Sequence, residues 1–250
     1  MDEKREEGGA ARAEPHNTEL QHPSSANWSE PRVRSGLGAR WFAWLLSHGD
    51  GFDRDLYGER KRELLGDLRG TVVEIGPGGG VNLPYYDDSI RWVGVEPNVH
   101  FHPRLKKKAD RLGLDATIRG GVAERLPVPD ASADAVVSTL VLCSVDDLDA
   151  ALAEVRRVLT PGGLFVFIEH VAAPESSFLR RVQRWVKPAW GVIADGCRPD
   201  RETDRIIESA GFADVQIERF DAAMPLPVVR PHIVGTARRR GGTDDVTETQ

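Results

Sequence analysis

The sequence predicts an α/β protein built on a doubly wound sheet of seven strands, mostly parallel, with an antiparallel last strand. Short runs rich in β-branched residues alternate with longer segments whose apolar residues recur every three or four positions. This succession of strand and helix is typical of a parallel sheet with helices on both faces. The last two runs are joined by a loop at 221–229, too short for a crossover helix, so we expect them to pair antiparallel.

Each predicted element has its own pattern, taken in chain order. The strand runs are short and rich in Val, Ile and Thr, as expected for strands buried on both faces. They lie at Thr71–Ile75, Arg91–Val95, Ala116–Arg119, Ala135–Thr139, Leu164–Glu169, Asp214–Arg219 and Pro231–Ala237. The helical runs place their apolar residues on one side. They lie at His102–Leu112, Asp147–Leu159 and Arg201–Ala210.

Composition narrows the class of protein. With 250 residues, 40% of them hydrophobic, the chain suffices for one large domain, expected at 35–240 between disordered segments at 1–34 and 241–250. A net charge of -6 argues against a nucleic-acid partner, whose phosphates require clustered positive charge. No apolar run reaches the roughly 20 residues of a membrane span. Cys143 and Cys197 lie in no CxxC or Cys/His spacing, so we expect no metal site and a reducing, cytoplasmic setting.

A glycine-rich turn, within VVEIGPGGG at 72–80, closes the first strand. In a doubly wound sheet this turn contacts a nucleotide, and glycines allow close approach because no β-carbon intervenes. The dinucleotide pattern GxGxxG fails here, because Val81 stands where its third glycine is required. The pattern present instead is ExGxGxG, formed by Glu74, Gly76, Gly78 and Gly80.

This pattern resembles the first motif of the class I S-adenosylmethionine-dependent methyltransferases. The resemblance implies a Rossmann-like methyltransferase fold, in which Glu74 orients the loop and the amino group of the cofactor. Glu96 follows Gly78 by eighteen residues, where a carboxylate accepts both ribose hydroxyls. GVAERLP at 121–127 resembles the segment that brackets the adenine. The residues expected to bind S-adenosylmethionine are Glu74, Gly76, Gly78, Gly80, Asn82, Glu96, Pro97, Ala123, Glu124, Thr139 and Leu140.

Three of these assignments have an alternative. Glu74 could be a solvated strand end, Glu96 a surface carboxylate, and Glu124 a residue that contacts water rather than adenine. The order of the motifs over about a hundred residues favours the cofactor assignment.

Later motifs are similar to a narrower group, the small-molecule methyltransferases related to the animal membrane-associated alkyl-thiol methyltransferases. These motifs are STLVLCSV at 138–145, IEHVAA at 168–173, PAW at 188–190, DGC at 195–197 and VRPHIVG at 229–235. The resemblance extends from about Tyr57 to Arg238 and implies S-methylation of small thiols. The segment before it lacks the long apolar anchor of the animal members.

Four polar residues are candidates for work on the acceptor. Methyl transfer from a sulfonium is an in-line displacement, so the enzyme must align the acceptor and keep it deprotonated. Glu169 and His170 end the fifth strand, where acceptors bind, and His170 is either a base or a structural tie. Asp195 either holds the acceptor or caps a turn, and His232 is either a base or a tie. Cys143 and Cys197 are interpreted as packing residues, because methyl transfer needs no covalent intermediate.

Two aromatic segments bear on the acceptor. Arg40–Leu46 is apolar nearly all round, which suits a lid, core packing, or membrane-surface contact through Trp41–Leu46. Phe178–Trp190 is amphipathic and is either a cover near 175–195 or a packing helix. If both are lids, the acceptor is apolar apart from its reacting atom. Two other functions stay open, a quinone or phospholipid head-group methyltransferase and a non-catalytic S-adenosylmethionine-binding regulator, and no pattern indicates an oligomeric state.

Overall fold

The computed structural model describes residues 50–194 and 196–241. The strands are β1 (Thr71–Ile75), β2 (Arg91–Val95), β3 (Asp115–Arg119), β4 (Ala133–Thr139), β5 (Leu159–His170), β6 (Ala213–Asp221) and β7 (Pro231–Arg238). The helices are α1 (Asp50–Leu65), α2 (His102–Leu112), α3 (Leu148–Val158), α4 (Phe178–Ile193) and α5 (Thr203–Ser209). Single 3₁₀ turns lie at Leu83–Tyr85, Val99–Phe101 and Pro227–Val229.

The seven strands form one sheet in the order β3-β2-β1-β4-β5-β7-β6. Strands β1 to β5 pair in parallel, and β7 pairs antiparallel with both β5 and β6. The predicted fold class is therefore confirmed. The chain builds outward from β1 on one side and returns to place β4 on the other, which creates a switch point at the carboxyl ends of β1 and β4. Open α/β sheets bind their ligands at such a point.

Most strand boundaries match the prediction, and β5 is the main departure. It begins at Leu159 rather than Leu164. The extension forms because the Gly162 amide donates to the Arg239 carbonyl and the Arg239 amide donates to the Gly163 carbonyl. Backbone pairing beyond the end of β7 thus extends β5 through Pro161, Gly162 and Gly163.

Apolar side chains cover both faces of the sheet. On one face Val73 and Val136 pack with Leu152 and Val155 of α3. On the opposite face the side chains of α1 and α2 pack on alternate strand residues, and this cluster includes Leu65, Val72, Trp92, Leu105 and Val137. Because successive strand residues point to opposite faces, one short β-branched strand supplies both cores.

The predicted cover segment forms α4, and its buried side is polar. Arg180 and Gln183 are buried, whereas the residues Phe178 and Trp185 are 74% and 83% exposed. Several features predicted from the sequence lie outside the described residues. They are the segment Arg40–Leu46, the terminal segments 1–34 and 242–250, and Asp195. Within the described ranges, no helix has the length and apolar character needed to cross a membrane.

Candidate active site

The three glycines of the ExGxGxG turn all have left-handed backbone angles. Gly76, Gly78 and Gly80 have φ of 58°, 51° and 75°. A β-carbon on Gly76 would lie 2.7 Å from Val141 Cγ2, and one on Gly80 would lie 2.8 Å from Leu83 Cδ1. A β-carbon on Gly78 would meet no atom within 4 Å. Packing therefore requires glycine at the outer two positions, whereas Gly78 borders open space of the kind that a cofactor needs.

The carboxylate of Glu74 is a buried hub that holds this turn. Its oxygens accept hydrogen bonds from Asn82 Nδ2 at 2.9 Å, from the Tyr86 hydroxyl at 2.8 Å and from Trp92 Nε1 at 2.9 Å. Burial raises the pKa of Glu74, and these three donors oppose the rise. Glu74 thus ties the turn and β2 to β1. It is 1% exposed, which argues against a solvated strand end.

The carboxylate of Glu96 faces the glycine turn. Its Oε2 accepts from the Gly78 amide at 2.9 Å and its Oε1 accepts from the Asn98 amide at 2.8 Å. A carboxylate has about four acceptor positions, so it can hold a loop and also accept ribose hydroxyls. Pro97 lies between Glu96 and Asn98 in this bend. Glu96 is 4% exposed, so it is not a surface carboxylate.

Two further features of this edge fit S-adenosylmethionine. Oδ1 of Asn82 is buried and finds no hydrogen-bond partner within the described residues, and such an acceptor suits the ammonium group of the cofactor. Asn82 Nδ2 also donates to Thr139 Oγ1 at 3.0 Å, which joins the turn to the end of β4. Leu140 follows at φ 57° and is 36% exposed. A strained residue other than glycine at a strand end is typical of functional sites.

The predicted adenine segment is held to the loop before α3. Oε1 of Glu124 accepts from the amides of Asp146 at 2.7 Å and Asp147 at 3.3 Å. Ala123 is buried beside it. These bonds were not anticipated from the sequence, because they join residues 22 and 23 positions apart.

On the acceptor side, Glu169 joins the end of β5 to the loop after β4. Its carboxylate accepts from Ser138 Oγ at 2.7 Å and from the amides of Val141 and Leu142 at 3.1 Å. Burial raises the pKa of Glu169, while these donors lower it. With these donors in place, Glu169 positions the loop.

His170 is buried at the end of β5. Its Nδ1 lies 3.7 Å from Cys197 Sγ, and its Nε2 finds no hydrogen-bond partner in the described part of the chain. An unpartnered buried nitrogen is rare and calls for an explanation.

His232 of β7 lies opposite His170, with 6.1 Å between the ring centroids. Its Nδ1 is 2.9 Å from the Arg230 carbonyl, which fixes that nitrogen as the donor, so Nε2 accepts from the Tyr57 hydroxyl at 2.9 Å. Burial lowers the pKa of His232 to about 4. Burial also raises the pKa of Tyr57. The geometry therefore favours a structural tie, and Tyr57 of α1 is a partner that sequence reasoning missed.

The structure also brings together three side chains that the sequence separates. One ligand atom each from Cys143, His170 and Cys197 lies within 4.8 Å of the others, and both cysteines are free thiols. The interaction between the two thiols raises the pKa of Cys143 and lowers that of Cys197. The spacing rule for metal sites missed this cluster because its members come from three segments. The sequence did carry one indication of the cluster, because each of its three residues belongs to one of the motifs STLVLCSV, IEHVAA and DGC.

Comparisons with known proteins place these features in context. A family model described as "Methyltransferase domain" matches residues 73–167. Thiol S-methyltransferase TMT1A of Homo sapiens is 34% identical over 209 residues, covering 79% of this chain and 86% of the relative. Thiol S-methyltransferase TMT1B of Mus musculus is 40% identical over 189 residues, covering 71% and 78%. A solved SAM-dependent methyltransferase of Thermotoga maritima, described as a possible histamine N-methyltransferase, is 25% identical with a TM-score of 0.58, covering 80% of this chain and 98% of that one.

Proposed function

This chain belongs to the S-adenosylmethionine-dependent methyltransferases, in the family of the thiol S-methyltransferases, and from this premise we propose that it methylates the sulfur of a small apolar thiol or dithiol. S-adenosylmethionine supplies the methyl group, so that a thiol and the cofactor become a thioether, S-adenosylhomocysteine and a proton. The observation that carries the proposal is the similarity to thiol S-methyltransferases over most of the chain.

The carboxyl edge of β1 and β2 supplies the residues proposed to hold the cofactor. Glu96 accepts the ribose hydroxyls while its bond to the Gly78 amide keeps the turn in register. Asn82 accepts from the ammonium group through Oδ1, and Glu74 orients Asn82. The segment at Ala123 borders the adenine, and Glu124 holds that segment to the next loop.

The carboxyl edge of β4 and β5 supplies the residues proposed to act on the acceptor. A free thiol with a pKa near 8.5 is only about 3% ionised at pH 7, so stabilising its thiolate is the main chemical task. Among the predicted residues, His170 has an unpartnered nitrogen for this task. Glu169 positions the loop that carries Cys143, and His232 supports His170 from the neighbouring strand. The assignment of Asp195 to the acceptor remains a prediction.

The setting is part of the proposal. Two free thiols suit a reducing compartment such as the cytoplasm. Contact of Trp41–Leu46 with a membrane surface stays a prediction from the sequence. Neither point alters the chemistry proposed for the sheet edge.

The function is tested with acceptors that share a skeleton and differ in the reacting atom. Purified protein and methyl-labelled S-adenosylmethionine are incubated with benzenethiol, phenol or aniline, and with aliphatic thiols and dithiols, and products are identified by mass spectrometry. We expect label on sulfur and none on the matched oxygen or nitrogen. Label in quinone or phospholipid extracts with thiols untouched would contradict the proposal. Cofactor binding in a calorimeter without turnover on any acceptor or extract would instead favour a regulator.

A further inference from the structure

Three side chains that bind thiophilic metals converge at the acceptor side of the sheet edge. Cys143 follows β4, His170 ends β5, and Cys197 follows α4. Their ligand atoms lie within 4.8 Å of one another, and His170 Nδ1 is 3.7 Å from Cys197 Sγ. In tetrahedral zinc sites, bonds of about 2.3 Å to sulfur and about 2.0 Å to nitrogen place those two atoms about 3.5 Å apart. The observed separation therefore fits two ligands of one ion.

We propose that Cys143, His170 and Cys197 bind a thiophilic divalent cation of the zinc type, and that its open fourth position takes the acceptor sulfur as a thiolate. Two thiolates and an imidazole select zinc over hard cations such as magnesium or calcium. Three protein ligands with an open position are typical of catalytic rather than structural zinc. The second half of this inference rests on the proposed function, whereas the first half is independent of it.

The loops that carry the two cysteines are already fastened to each other. The Arg198 amide donates to the Cys143 carbonyl at 2.9 Å, and Arg201 Nη1 donates to the Leu142 carbonyl at 2.6 Å. His170 is held independently, because its backbone pairs with His232 across β5 and β7. A cation would thus bind a preformed site and would not have to assemble one from mobile loops.

The charges at this place also suit a cation. Cys143 and Cys197 are both buried, and two buried thiolates are costly unless a positive ion compensates them. When the cation binds, the two thiols release their protons to water, and the two positive charges of the ion balance the two thiolates. An acceptor thiolate then adds one negative charge, and the buried guanidinium of Arg201, bonded beside Cys143, offsets it.

Metal binding would perform the chemical step that a thiol acceptor needs. A thiol that coordinates a metal ion is deprotonated outright. The S–H bond breaks, its proton goes to water, and the electron pair left on sulfur forms the bond to the cation. The thioether that results from methylation is neutral and is a much weaker ligand, so it leaves the ion. The cation thereby does the work that a protein base would otherwise do.

The site also lies next to the place proposed for the cofactor. Val141, two residues before Cys143, packs so close to the glycine turn that a β-carbon on Gly76 would be 2.7 Å from it. An acceptor sulfur held at the cluster is therefore on the same edge of the sheet as the methyl donor.

The test measures metal first and activity second. Full-length protein is loaded with zinc alone, freed of excess ion, and analysed for zinc content, for zinc affinity against a competing chelator, and for alkylation of its two cysteines. We expect one ion per chain and cysteines protected by zinc. Cys143→Ser, Cys197→Ser and His170→Gln should each lower zinc affinity by more than about 100-fold. His100→Gln changes an exposed histidine outside the cluster and should bind zinc as the unaltered protein does.

A spectroscopic arm keeps the test valid if a variant fails to fold. Cobalt replaces zinc in the unaltered protein, and its spectrum reports thiolate bonds and tetrahedral geometry. Adding benzenethiol should change that spectrum, whereas adding phenol should not. Binding of S-adenosylhomocysteine shows which variants remain folded.

The outcomes separate this inference from the proposed function. Absence of stoichiometric zinc, zinc retained by all three folded variants, or a Cys143–Cys197 disulfide in place of the ion would each overturn the site. Thiol methylation that continues unchanged in metal-free protein would overturn the role of the cation and leave the proposed function intact. Stoichiometric zinc without methylation of any thiol would support the site and overturn the proposed function.

Discussion

At the scale of single residues, Glu74 and Glu96 differ because their partners differ. Glu74 binds three side-chain donors inside the protein, so its carboxylate is committed to holding the turn. Glu96 binds two backbone amides on the side of the turn that borders open space. We therefore expect two acidic residues from one pair of neighbouring strands to have separate tasks, Glu74 in positioning the turn and Glu96 in contacting the cofactor.

Replacing Glu96 tests the second task. We expect Glu96→Ala to weaken S-adenosylhomocysteine binding by about 1–3 kcal/mol, because the ribose hydroxyls and the Gly78 amide lose their acceptor. Calorimetric titration measures this change. Asp88→Ala removes an exposed carboxylate outside the site and should leave the affinity unaltered. An unchanged affinity in Glu96→Ala would remove Glu96 from the cofactor site.

His232 gives stability a defined dependence on pH. Its pKa is about 4 in the folded protein and about 6.5 when unfolded, so the unfolded state binds more protons between these values. Stability is then complete above pH 6.5 and is lost as the pH falls toward 4, by an amount on the order of 3 kcal/mol. Urea unfolding at pH 7 and pH 5 should show a larger loss in the unaltered protein than in His232→Gln. Equal losses would contradict this account.

At the scale of elements, the glycine turn is tested by comparing Gly78 in the turn with Gly113 outside it, because both have a left-handed backbone. Gly78 and Gly113 have φ of 51° and 72°, and a β-carbon on either meets no atom within 4 Å. Alanine should therefore cost about 1–2 kcal/mol of stability at both positions. Only Gly78 is proposed to border the cofactor, so we expect Gly78→Ala alone to weaken S-adenosylhomocysteine binding, by about tenfold or more. Equal affinities of the two variants for S-adenosylhomocysteine would argue against cofactor binding at the glycine turn.

Helix α4 packs on the protein through its polar side. We therefore expect replacement of its buried polar residues to destabilise the protein more than replacement of its exposed aromatic residues. Gln183 accepts from the Ala173 amide at 2.8 Å and donates to the Val228 carbonyl at 2.9 Å. Gln183→Leu should cost about 1–3 kcal/mol because both buried groups lose their partner. Trp185→Ser, at an exposed position of the same helix, should stay within about 0.5 kcal/mol and should not alter KM for apolar thiols. Chemical unfolding and acceptor kinetics measure both effects.

At the scale of the whole molecule, the strand order brings the cofactor and acceptor sides to one edge. Strands β1 and β2 carry the residues proposed for the cofactor, and β4 and β5 carry those proposed for the acceptor. Ligand binding at this edge therefore couples to the stability of the sheet.

The coupling between ligand binding and stability is tested by measuring how much S-adenosylhomocysteine raises the free energy of unfolding. S-adenosylhomocysteine at 100 times its Kd should raise the free energy of unfolding by about 2.7 kcal/mol. The same ligand concentration should raise that of Glu96→Ala by much less, because its Kd is higher. An increase of equal size in both proteins would show that the ligand binds away from Glu96.

The sequence by itself determined the fold class, nearly all strand positions and the identity of the methyl donor, because these depend on local properties. Alternating short apolar runs can bury themselves only as a covered parallel sheet, and left-handed turns require glycine where the pattern places it. The sequence also indicated which strand ends carry polar residues. It did not determine which partners those residues have.

Only the tertiary structure decided those partners. Glu169 binds residues 27 to 31 positions away, Tyr57 reaches His232 across 175 positions, and Cys143, His170 and Cys197 meet from three segments. Such contacts are set by strand order and loop packing rather than by local pattern, so a spacing rule cannot find them. One short motif therefore predicts the donor site, whereas the side-chain contacts proposed for the acceptor site form only once the sheet has assembled.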